Sequence, residues 1–164
     1  MKFFLSHNLK NNSHIKLVIP FFISFIVLFL IGDCLYSINN LGLTPVSITD
    51  YYRGNEEKLL EPRGIVLILE EVHIRSFLFG FMLLSLSSLI LQTNISPISK
   101  KILIITSFTS ALMDSVGGIF IAYLNSIFAY LKILSLLGLY ISLTIMILII
   151  MAYLWGRRGG IEND

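Results

Sequence analysis

The chain reads as an all-α integral membrane protein, a bundle of four spanning helices with a short additional helix in its first outer loop. Three features point there. Of its 164 residues 55% are hydrophobic and only 13% charged, a balance that ordinary soluble domains do not have. Long apolar stretches recur, Leu17 to Gly32, Ser76 to Ser99, Ile102 to Leu131 broken only by Asp114, and Ile133 to Gly156, on the scale of the roughly 20 residues that cross a hydrocarbon core. Basic residues also sort by side, with Lys2, Lys10, Lys16, Lys100, Lys101, Arg157 and Arg158 on one side and Arg53, Lys58, Arg63 and Lys132 on the other. Because Lys and Arg are retained inside during insertion, this bias predicts both termini in the cytoplasm.

Turn chemistry trims the spans. The first helix is expected over 16–37. Lys2, Lys10 and Lys16 ahead of Leu30-Ile31-Gly32-Asp33-Cys34 resemble a lipoprotein signal, but an acid directly before the cysteine is a poor substrate for such cleavage, so the segment is read as a retained helix. The outer loop, 38–64, is longer than a connection requires and carries helix punctuation. Thr44-Pro45 suits a cap and first position, and Arg53-Gly54 a last turn and exit, predicting a short helix over 45–53. On it, Tyr51, Tyr52 and Arg53 form either a docking surface for a partner or an interfacial anchor. Gln92, Thr93, Asn94 and Pro97 close a second helix at 65–93; the third is expected at 101–124, ended by Asn125 and Ser126, and the fourth at 131–155. The whole chain, 1–164, is read as a single transmembrane domain.

Several functions are excluded or disfavoured. A formal charge of +2 with dispersed basic residues gives no face for nucleic acid. One cysteine, Cys34, rules out an intramolecular disulfide and a cysteine-rich metal or iron–sulfur site in this chain alone. Phosphate loop, nucleophile elbow and Ser/His/Asp arrangement are all missing, so no catalytic residue is assigned and the reading leans away from an enzyme.

Ionisable residues inside apolar helices are costly and normally pair or mark a site. At about 1.5 Å per residue, Asp33, Asp114, Arg75 and His73 all fall in the outer half of a core about 30 Å thick, with Glu70 and Glu71 at its outer surface. Glu71 and Arg75, about 40° apart on the helix, have the order of an intrahelical ion pair, whereas Glu70 and His73, about 60° apart, present a carboxylate and an imidazole together. Asp33, Glu71, Arg75 and Asp114 thus form a candidate charge network. His73, Glu70 and Asp114 form a candidate cofactor or cation site, in which His73 and Glu70 would be the metal ligands. Ser110, Asp114 and Gly118 share one face at i,i+4 spacing, small enough for close helix approach.

Thr44-Pro45, Tyr51-Tyr52-Arg53-Gly54-Asn55-Glu56-Glu57-Lys58, Pro62, Leu69-Glu70-Glu71-Val72-His73 and Asp114 together resemble an uncharacterised family of small four-helix bacterial inner-membrane proteins. The likeness covers roughly residues 44 to 120. It implies a Glu-x-x-His-x-His pattern on the second helix, which near an outer membrane face would suit haem or a transition metal. Arg75 stands where that pattern has its second histidine.

Two roles fit these residues. In one, a non-enzymatic membrane bundle binds a cation, proton or haem-type cofactor at an outward acidic and histidine site within a larger assembly. In the other, the chain is a structural or assembly subunit whose polar residues are staples between helices. Both place it in the lipid bilayer, beside other membrane subunits or further copies of itself.

Overall fold

The computed structural model describes residues 13–156. They form α1 (Ser13–Asn40), α2 (Pro45–Arg53), α3 (Ile65–Leu91), α4 (Pro97–Tyr123) and α5 (Phe128–Trp155), with a single 3-10 turn at Glu56–Lys58 between α2 and α3. The architecture is all-α. Four helices, all but α2, are long and apolar enough to cross a membrane, and at 27 or 28 residues each they reach about 40 Å, more than the roughly 30 Å of a hydrocarbon core. They therefore cross with tilt or with their ends in the interface.

Four helix ends, both of α1 and the starts of α4 and α5, lie further out than turn residues alone predict, while α3 closes two residues earlier, at Leu91. The Asn39 and Asn40 side-chain amides donate back to the carbonyls of Leu35 and Tyr36 at 2.9 and 3.0 Å, which carries α1 to Asn40. Ser96 caps α4 by accepting from the Ser99 N–H at 3.2 Å, and Pro97, which ends the previous helical pattern, is the first residue of the next. α4 thus starts ahead of the expected residue 101. α5 begins at Phe128, ahead of the expected residue 131, which sets Lys132 in its second turn rather than at its outer end.

α4 and α5 pack most intimately, α3 lies on α4, and α1 leans mainly on α5. α1 is the least buried of the four spans. Ile19, Ile23 and Ile26 of α1 join Phe79, Leu83 and Leu86 of α3 and Leu139, Leu143 and Met146 of α5 in the larger core. A smaller core at the end carrying α2 contains Ile48 and Tyr52 of α2, Ile68 of α3, Ile121 of α4 and Ala129 of α5. The two apolar cores flank the level at which the charged residues meet.

α2 is built as its punctuation predicts. Thr44 accepts from the Ser47 N–H at 3.1 Å, Pro45 takes the first position, and Gly54 leaves the helix at φ +76°. A side chain at Gly54 would also meet the Leu60 carbonyl oxygen at 2.6 Å, so glycine is required on two counts. Within the last turn of α2, Asp50 accepts from Lys58 Nζ at 2.6 Å and from Asn55 Nδ2 at 3.0 Å, both beyond the helix. These bonds favour the charged form, and with Lys58 contributing most they hold the Asp50 carboxyl below its ordinary range. The Arg53 Nε–H donates to the Ile121 carbonyl at 2.6 Å, which ties the same helix down onto α4.

Candidate functional site

Midway along the half of the bundle nearest α2, four spanning helices contribute charges to one cluster. Arg75 of α3 is its hub. Its guanidinium donates to Asp33 of α1 through Nη1 at 3.0 Å and Nη2 at 3.3 Å. It reaches Asp114 of α4 through Nε at 2.9 Å and Nη2 at 2.8 Å, so the planar fork bridges two carboxylates on two helices. Lys132 of α5 approaches Asp114 from the other side, its Nζ 2.8 Å from the main-chain carbonyl oxygen and 3.3 Å from Oδ1. The Asp114 side chain is 0% exposed, Lys132 2% and Arg75 8%, so these are desolvated charges that persist only because each is paired.

Hydroxyl groups extend the cluster. Tyr140 of α5 donates to Asp33 Oδ2 at 2.6 Å. Tyr52 of α2 donates to Glu71 Oε1 at 2.6 Å, and Lys132 Nζ lies 3.9 Å from that oxygen. Arg63, just before α3, stands 3.9 Å from Glu71 Oε2 and stacks its guanidinium over the Tyr51 ring at 4.5 Å. Asp33, Glu71 and Asp114 against Arg63, Arg75 and Lys132 make the cluster formally neutral.

Tyr52 reaches Glu71 because α4 has no side chain in its way. A Cβ on Gly118 would lie 2.7 Å from Tyr52 Cε1. The small face of α4 therefore admits a tyrosine from α2, not only a neighbouring span. Ser110 on the same face meets α5, where a Cβ on Gly138 would approach its hydroxyl to 2.8 Å.

Sequence-level expectations divide here. Asp33, Arg75 and Asp114 do come together. The intrahelical Glu71–Arg75 pair is replaced, since Arg75 turns to Asp33 and Asp114 while Glu71 takes Tyr52 and faces Lys132 and Arg63. Glu70 and His73 are exposed on α3, whereas Asp114 is fully buried. Among the described residues no three His, Cys, Asp or Glu side chains are grouped so as to hold a metal ion, so His73, Glu70 and Asp114 are not assembled into one centre. Tyr52 is 1% exposed and points into the bundle, which removes it from any docking surface; Tyr51 is half-buried and Arg53 is held by α4.

Lys132, Tyr140 and Arg63 are the network residues that sequence reasoning missed. One signal was available for the first of them. Lys132 is the only Lys or Arg between Lys101 and Arg157, and Asp114 is the only Asp or Glu in that interval, a pairing that charge economy in lipid favours. Tyr140 and Arg63 carry no comparable signal, because a tyrosine in an apolar helix and an arginine beside a helix start are both ordinary.

A family model described as a transmembrane helical domain matches residues 42–161. The chain belongs to this family. The matched stretch of the transmembrane helical domain holds α2, α3, α4 and α5 and every network residue except Asp33, which α1 supplies. No curated protein and no solved structure matches the chain.

Proposed function

We propose that this integral membrane protein is a non-enzymatic structural or assembly subunit of a membrane complex, in which the buried charges lock the helices in one arrangement. One observation carries the reading: Arg75, with Asp33, Asp114 and Lys132, forms a mutually compensated set that draws one charge from each of the four spans. Coulombic attraction is strong in a low-dielectric core and unpaired charge there is costly, so such a set selects one register of four helices against alternatives. The reading includes a bacterial inner-membrane location with the α2 end outside. With Lys132 buried in the bundle, the basic residues left on that side are Arg53, Lys58 and Arg63, which strengthens the charge bias that supports the orientation.

The competing role, a site for a cation, proton or haem-type cofactor at His73, Glu70 and Asp114, has the Glu70-x-x-His73 spacing in its favour. One experiment separates the two. The detergent-purified chain is examined by optical spectroscopy, oxidised and reduced, and by metal analysis, alongside Asp114→Asn and His73→Ala. The structural role expects blank spectra, no stoichiometric metal, and reduced accumulation of Asp114→Asn with His73→Ala unaffected. A haem band or bound metal that disappears in His73→Ala would overturn it.

A further inference from the structure

A cleft of about 360 Å³ separates α1 from α3. Its walls come from Phe29, Asp33 and Tyr36 of α1 and, along the other side, from Arg63 before α3 and then Leu67, Glu70, Glu71, Ile74, Arg75 and Leu78. The order along α3 makes a gradient. Arg63, Glu70 and Glu71, with Leu67 among them, lie at the α2 end, whereas Ile74 and Leu78, on either side of the ion-paired Arg75 and with Phe29 opposite, lie toward the middle of the bundle. A polar mouth grading into an apolar slot, open between two spanning helices, has the polarity profile of a lipid lying in the leaflet on that side.

The polar groups at the mouth narrow the headgroup. The six-charge cluster is neutral within itself, Arg63 and Glu71 included, which leaves Glu70 as the uncompensated charge at the mouth. Glu71 Oε2 and Arg63 Nε are both shielded from solvent without a hydrogen-bond partner. Buried donors and acceptors are ordinarily satisfied, and these two side chains are in ion-pair range of each other at 3.9 Å without either atom being hydrogen-bonded, so a ligand that offers both a donor and an acceptor would complete them. An ammonium supplies N–H donors to Glu71 and Glu70, and a phosphate supplies an acceptor to Arg63. We infer that the α1–α3 cleft is a binding site for a phospholipid with a primary-amine headgroup, of the phosphoethanolamine type, its acyl chain lying along Phe29, Ile74 and Leu78. The site goes beyond the locking role proposed above and does not depend on it.

The test is lipid retention by the full chain in detergent, read by native mass spectrometry with phosphatidylethanolamine, phosphatidylcholine and phosphatidylglycerol of identical acyl chains. Phosphatidylcholine keeps the phosphate and the positive charge but has no N–H donors, and phosphatidylglycerol has no ammonium. Phosphatidylethanolamine is expected to bind about tenfold more tightly than either, the scale of one charge-assisted hydrogen bond. Leu78→Trp fills the apolar slot without touching a charge, and Glu70→Gln removes one exposed carboxylate; each is expected to reduce that preference while the chain accumulates normally. Equal retention of the three lipids, or an unchanged preference in both variants, would overturn the inference and leave the charge lock standing, because accumulation of Asp114→Asn tests the lock separately.

Discussion

Two faces of one helix carry similar chemistry and opposite fates. On α3, Glu71 and Arg75 are drawn into a network with α1, α2, α4 and α5, whereas Glu70 and His73, adjacent to them in sequence, are exposed on the bundle surface. One residue step turns a helix by about 100°, so neighbouring carboxylates face different surroundings. Residue type and depth in the membrane are therefore poor guides to role without the helix rotation. The buried pair is fixed by what the other helices supply, two aspartates, a lysine and a tyrosine, and the exposed pair has no such partners among the described residues.

The contrast can be broken most forcefully at the hub. Arg75→Leu leaves Asp33 and Asp114 buried without their shared counter-charge, and the loss is expected to be about 3–5 kcal/mol, read as a lower unfolding temperature and lower accumulation in membranes. A smaller effect is expected at Gly118→Ala, where the new methyl group would meet the Tyr52 ring at 2.7 Å. Displacing that ring separates its hydroxyl from Glu71, and about 1–3 kcal/mol is expected, with faster proteolysis after Arg53 or Lys58 as α2 lifts. His73→Ala should sharpen the contrast by doing least, within about 0.5 kcal/mol in the same thermal assay, because an exposed side chain outside the network contributes little to folding. A destabilisation by His73→Ala as large as that of Arg75→Leu would mean that the exposed face is covered by a partner.

The number of spans, their approximate extents and the short helix at Pro45–Arg53 were legible in the residue pattern, because each rests on local physics. Lipid demands long apolar runs with internally bonded backbones, and Thr44-Pro45 and Arg53-Gly54 satisfy or end backbone bonds within a few residues. The meeting of Asp33, Arg75 and Asp114 was legible as well, since depth confined them to one level and cost required them to pair. Helix rotation was not. It is set by packing between spans distant in the chain, and that packing alone turned Glu71 from Arg75 toward Tyr52, placed Tyr140 on Asp33 and left Glu70 and His73 outside. Lys132 shows the same limit from another direction: by sequence it lies beside a loop, and the approach of α5 to Gly117 and Asp114 on α4 makes it one of the most deeply buried charges among the described residues. Local sequence carries the cost of a charge in lipid, and only the arrangement of helices around it determines which partner meets that cost.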